Sequence, residues 1–140
     1  MDTKPLVLFD VGAVLIKLNF DNMGRKAQEL SKGRLSSDEF LRKYSETNIE
    51  KNYLLGKIST SEFLQGLEQI IGNYVSEDEL RRLSVSNLNG IIDDMLGLKE
   101  SLIAKGNQVG IFSNTTELHY LKMLREFPEI YASANPLILS

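Results

Sequence analysis

Apolar and polar residues follow two rhythms along this chain, and the changes between them divide it. Pro5-Leu6-Val7-Leu8-Phe9 is apolar at every position and stops on Asp10, with Gly12 two residues later. An unbroken apolar run of this length, closed by a breaker, predicts a strand buried on both faces. A second run, Val109-Gly110-Ile111-Phe112, ends on Ser113-Asn114-Thr115-Thr116, and a third spans Pro136-Leu137-Ile138-Leu139-Ser140.

Between the first two runs the rhythm is helical. Ser36 with Glu39, Ser59 with Glu62 and Ser76 with Glu79 each read as a capping box, in which a hydroxyl and a glutamate exchange hydrogen bonds across the first turn. Apolar residues at helical spacing follow each one: Phe40, Leu41 and Tyr44; then Phe63, Leu64, Leu67, Ile70 and Ile71; then Leu80 and Leu83. Further helices are expected over Asp21 to Lys32, stopped by Gly33, and over about Ile91 to Lys105, stopped by Gly106. Asn114 with Glu117 reads as one more capping box. The pattern predicts an α/β fold with a parallel sheet in residues 1–19 and 91–140 and a helical insert over 20–90.

In open α/β sheets chemistry gathers at the carboxyl ends of strands, where Asp10 and Ser113 fall. Each also has a plainer reading: Asp10 as a turn residue or helix cap, Ser113 to Thr116 as the start of a helix. A hydroxyl and fresh N–H groups at a helix start can equally hold an anion.

Composition narrows the choices. At 140 residues, 42% hydrophobic and 25% charged, the chain suits one compact domain or a small domain with an insert. A net charge of −3 without a basic stripe argues against a nucleic-acid partner. No cysteine is present, so thiolate metal sites are excluded, and the single histidine, His119, rules out a multi-histidine metal site. No apolar run approaches membrane-spanning length, so a cytoplasmic protein without a membrane partner is expected.

Phe9-Asp10-Val11-Gly12-Ala13-Val14-Leu15 and Ser113-Asn114-Thr115, in that order and around a helical insert, resemble the first two motifs of the haloacid dehalogenase-like (HAD) hydrolase superfamily. The nearest pattern is its "FDxGxVL … SNT" branch of small phosphatase-like proteins. The resemblance implies a Rossmann-like core with the insert as a cap. It implies Asp10 as a nucleophile that forms an aspartyl-phosphate, and Mg2+ held by Asp10 and the Gly12 carbonyl. Ser113 and Asn114, with N–H groups after Asp10, would bind the phosphoryl group of a small phosphorylated metabolite. Asn48, Asn52, Tyr53 and Lys57 are insert residues that could face such a site.

The chain also departs from the family pattern. Most phosphatases of the superfamily carry a second aspartate where Gly12 stands, although the resembled branch has glycine there. The family's lysine and acidic pair follow its third strand, which Pro136–Ser140 resembles. Lys122 lies too early, within a helix, and Asp93-Asp94 read as the exposed start of a helix. The expectation is therefore an incomplete core in which Leu6 to Phe9 form an open apolar edge, inviting a homodimer. A non-catalytic binding module on the same fold is the alternative.

Overall fold

The computed structural model describes residues 5–140. Its elements fall into two compact units. A sheet unit holds the described residues up to Leu18, Asn89–Thr115 and Tyr120–Ser140; a helical unit holds Asn19–Leu88 and Thr116–His119.

The sheet unit is built on strands β1 (Leu6–Phe9), β2 (Ile16–Leu18), β3 (Leu88–Ile91), β4 (Gln108–Ser113) and β5 (Leu137–Leu139). Strands β1, β4 and β5 form a parallel sheet in the order β1-β4-β5, with Leu6 opposite Gln108, Phe9 opposite Ile111, and Ser113 opposite Leu139. The two remaining strands pair separately. The hydrophobic pattern does not announce them, because Lys17, Asn89 and Gly90 interrupt the apolar positions of two very short segments.

The expectation that Leu6 to Phe9 is buried on both faces is corrected. Phe9 is buried, but Leu6 and Leu8 are 45% and 48% exposed. The cause is the direction of winding. From β1 to β4 to β5 the chain steps one way across the sheet, and right-handed crossovers then place the sheet unit's own connecting helices on the same side. Val109, Ile111 and Ser113, which share the side of Phe9, are all buried. Glycine at the centre of β4 has a steric reason: a Cβ on Gly110 would lie 2.7 Å from the Pro136 carbonyl oxygen and 3.0 Å from a Leu8 methyl. Any side chain here would push β5 away.

Helix α6 (Asp93–Ala104) precedes β4 and carries a buried lysine. Lys99 Nζ donates to the carbonyls of Glu129 (3.1 Å) and Ala132 (2.7 Å), tying α6 to the 3-10 turn Pro128–Ile130 and the residues after it. Burial holds this amine below the ordinary lysine pKa, against a smaller opposing pull from Glu100. Two carbonyls match the two N–H bonds of a neutral amine. Below the folded pKa both states carry the proton and the contribution is flat. Between that pKa and the usual 10.5 the unfolded chain binds a proton that the folded chain does not, so stability rises with pH. The difference in unfolding free energy between the wild type and Lys99→Met is therefore expected to shift in favour of the wild type as pH climbs towards 10.5. Urea titrations at pH 7 and at several higher values test this, and a constant difference would contradict it.

The helical unit contains α1 (Phe20–Leu30), α2 (Ser37–Glu46), α3 (Ile49–Leu54), α4 (Thr60–Ile71) and α5 (Glu77–Val85). Helix α1 ends two residues before the expected Lys32, because the chain turns there and the Gly33 N–H, at φ 79, bonds back to Gln28. Ser36, Ser59 and Ser76 all cap their helices, but only Ser59 and Glu62 complete a reciprocal box. Met23, Phe40, Phe63, Leu67 and Leu83 lie at the centre of this unit, each at most 3% exposed. Helices α1 and α2 approach so closely at Gly24 that a Cβ there would strike the Ser37 hydroxyl and Leu41.

The last helix, α7 (Glu117–Glu126), does not begin on an Asn114 box as expected. Thr116 Oγ1 accepts from the His119 N–H and so takes the cap position. Leu118 packs into the helical core, and His119 Nε2 lies 2.9 Å from the Ser84 carbonyl oxygen. Lys122 pairs with Glu126 one turn later, at 3.3 Å. Among the described residues, no helix is long and apolar enough to cross a membrane.

Candidate active site

Parallel pairing fixes the geometry of the site. Phe9 stands opposite Ile111, so Asp10 and Ser113 both emerge at the carboxyl ends of neighbouring strands, spaced about 4.8 Å apart. Two side chains far apart in sequence thus reach one end of one sheet.

The loop after Asp10 is a compact knot. The N–H groups of Val14, Leu15 and Ile16 all point at the Val11 carbonyl, at 3.2, 2.8 and 3.0 Å, while Ala13 donates to Ile16 at 2.8 Å from a left-handed φ of 61°. Val11 is buried and anchors the knot, and its N–H donates to Asp10 Oδ1 at 2.7 Å. This bond holds one oxygen of an exposed carboxylate, and among the described residues no hydrogen bond engages Oδ2. It also corrects one expectation. The N–H groups of Val11, Ala13, Val14, Leu15 and Ile16 are already engaged, so they are not free to bind phosphate. Among the described residues, Gly12 is the member of this loop whose N–H no protein acceptor takes.

Across the gap, Ser113 is buried, and its hydroxyl makes a long 3.4 Å bond to the Asn114 carbonyl. Asn114 is exposed, and its Oδ1 accepts from the Ser140 hydroxyl. Main-chain bonds from Ser140 to Ser113 and from Thr115 to Ser140, both 3.1 Å, hold this strip in place. Residue spacing does not reveal that Ser140 braces Asn114, since the contact depends on β5 lying beside β4.

The donors suit a hard cation better than a soft one. The Asp10 carboxylate and the Gly12 carbonyl are both oxygens, the kind of ligand that Mg2+ prefers. Among the described residues there is no group of three or more His, Cys, Asp or Glu side chains able to hold a metal. A Mg2+ ion here would take its remaining ligands from substrate and solvent, as it commonly does. Asp93 and Asp94 are exposed in the first turn of α6, as expected.

The insert residues singled out from sequence have separate fates. Tyr53 is buried, stacks on Phe63 at 4.6 Å and bonds Thr60 at 2.8 Å, which makes it part of the helical core. Asn52 is partly buried and Lys57 is exposed. Asn48 enters α3 at a left-handed φ of 54° and lines a cleft of about 410 Å³ with Phe20, Leu41, Tyr44 and Glu50. Burial raises the Glu50 carboxyl above its usual range, although a hydrogen bond from Tyr44 partly offsets this. Tyr44 is pushed upward in turn, first by burial and then by the charge of Glu50. Residue types and spacing alone do not reveal this pair.

No protein-family model and no curated protein matches the chain. Solved structures do. A HAD family enzyme from Bacteroides thetaiotaomicron, bt-2542, in complex with magnesium and inorganic phosphate, superposes on 99% of this chain at 23% identity and a TM-score of 0.79, and the match spans 69% of that enzyme. A predicted HAD-like family hydrolase from Porphyromonas gingivalis matches 98% of the chain at 19% identity and a TM-score of 0.69, over 66% of its own length. The L-2-haloacid dehalogenase of Xanthobacter autotrophicus, with chloropropionic acid covalently bound, matches 98% at 14% identity and a TM-score of 0.60, over 57% of its length.

Proposed function

We propose that this chain, which has the haloacid dehalogenase-like fold, is a phosphomonoester hydrolase in which Asp10 is the nucleophile. The observation that carries the reading is the pairing of β1 with β4, which puts an exposed carboxylate and a buried hydroxyl at the same end of adjacent strands. The magnesium and phosphate bound to the Bacteroides enzyme support the choice of phosphate chemistry.

The chemistry follows from these groups. Asp10 Oδ2 attacks phosphorus, a new O–P bond forms, and the ester oxygen leaves with the electron pair of the bond it breaks. Water then attacks the aspartyl-phosphate, which releases inorganic phosphate and restores the carboxylate. Holding Oδ1 on the Val11 N–H presents the other oxygen to substrate before reaction, so orientation is set in advance. In this reading the Ser113 hydroxyl and the Gly12 N–H would donate to phosphoryl oxygens. Asp10 and the Gly12 carbonyl would hold Mg2+, which when bound neutralises charge between the carboxylate and the phosphate.

Gly12 provides no acid to protonate the departing oxygen. A positioned acid typically contributes about 10²–10⁴-fold, so esters with poor leaving groups lose most. Magnesium-dependent hydrolysis is therefore expected to be at least about 100-fold faster for an aryl phosphate than for an alkyl phosphate. Parallel phosphate-release assays with and without magnesium test the reading. Halide release from a 2-haloacid, with no phosphate release from either ester, would overturn it.

A further inference from the structure

The cleft of about 410 Å³ in the helical unit is the size of a small-molecule site and is lined as such sites are, by apolar surface with a few polar groups. Phe20, Leu41 and the ring of Tyr44 supply the apolar part. Two opposite charges line the same cleft, Glu50 and Lys51, from consecutive positions of α3. Consecutive residues on a helix do not face each other. Among the described residues no ion pair engages either one. Glu50 is half-buried, with the Tyr44 hydroxyl as its hydrogen-bond partner, whereas Lys51 is exposed. Burying a carboxylate without a cation is costly, so Glu50 stands in a place where a positive group would be welcome. Asn48 makes no side-chain cap bond to α3, which leaves its amide available.

We propose that this cleft binds a compact zwitterion with an apolar side chain, an α-amino acid, whose ammonium group meets Glu50 and whose carboxylate meets Lys51. The lining carries one charge of each sign, so a ligand of no net charge matches it. A plain amine would meet Lys51 as a like charge, and a plain carboxylate would meet Glu50 as one. The ammonium gives Glu50 the cation that the protein does not provide, through a charge-assisted bond stronger than the one from Tyr44. The Asn48 amide can donate to the ligand carboxylate or accept from its ammonium. The ligand side chain lies on Leu41 and on Phe20, which is 41% exposed and offers a ring face for an aromatic partner.

NMR titration of the full chain with three probes of one skeleton tests the proposal. L-Phenylalanine carries both charges; phenethylamine lacks the carboxylate, and 3-phenylpropionate lacks the ammonium. Phenylalanine is expected to bind at least about tenfold more tightly than either of the others. Glu50→Gln keeps an oxygen that can accept from Tyr44, and it is expected to weaken phenylalanine at least about tenfold. Lys51→Ala changes an exposed residue and is expected to weaken phenylalanine but not phenethylamine. Circular dichroism checks that both variants fold. The readout is binding, so it does not depend on turnover at Asp10. Absence of phenylalanine binding at millimolar concentration overturns the proposal. So does phenylalanine binding no tighter than that of the amine or the carboxylate, or binding that a folded Glu50→Gln or Lys51→Ala variant leaves unchanged.

Discussion

Asp10→Asn is expected to lower kcat/KM for an aryl phosphate by at least about 10³-fold while leaving the fold intact, because loss of a covalent nucleophile removes the reaction path itself. The substitution suits the test. Asparagine keeps the carbonyl oxygen that accepts from the Val11 N–H at 2.7 Å, so the loop after β1 retains its anchor. The residue is exposed, and among the described residues no ion pair depends on its charge. A phosphoryl adduct trapped on the wild type by acid quenching, located at Asp10 by peptide mass spectrometry and absent from the variant, is the accompanying readout. Unchanged turnover in the variant would mean that another group attacks phosphorus.

Gly12→Asp is expected to work in the opposite direction. Gly12 is not among the glycines held at positive φ, and a Cβ there would meet only Leu18 Cδ1, at an ordinary 3.8 Å. The site therefore accepts a side chain without strain, unlike Gly110. A carboxyl two residues after the proposed nucleophile would supply a proton donor, so alkyl phosphate hydrolysis should rise about 100-fold, with aryl esters changed much less. Comparing both esters in the wild type and the variant is the measurement. Equal gains on both would point to altered binding rather than to a proton delivered to the leaving group, and no gain from a folded variant would remove the acid–base account of Gly12.

Much of the core was legible because its signals are local. The runs ending at Asp10 and Ser113 are strands, and the caps at Ser36, Ser59 and Ser76 start helices as their spacing requires. The readings that failed depend on what packs where. Leu6 and Leu8 read as buried because their run is apolar, but one-way winding leaves their face uncovered. The capping-box spacing of Asn114 and Glu117 was right in type but wrong in position, since Ser140 engages Asn114 and Thr116 supplies the cap. The Lys99 contacts with Glu129 and Ala132, and the raised Glu50 beside Tyr44, join residues whose partners only the folded chain brings near. At the candidate site, residue identity singled out Asp10 and Ser113, which strand pairing brings to one end of the sheet, while the orienting bond from Val11 and the closed ring of N–H groups behind it emerged only from backbone geometry.

One main-chain bond also bears on how the chain reaches this state. Asn19 N–H donates to the Asn87 carbonyl at 2.8 Å, pinning together the two ends of the helical unit. Pairing Leu6 with Gln108 otherwise requires closure of a loop of about a hundred residues, with an entropy penalty that grows as (3/2)RT ln n. Once the helical unit has formed from its own contacts, the loop still to be closed shrinks to about thirty residues, which lowers that penalty by about 1 kcal/mol. The helical unit thereby acts as a splint for the sheet, and a topology with distant strand partners becomes kinetically more local than its register implies.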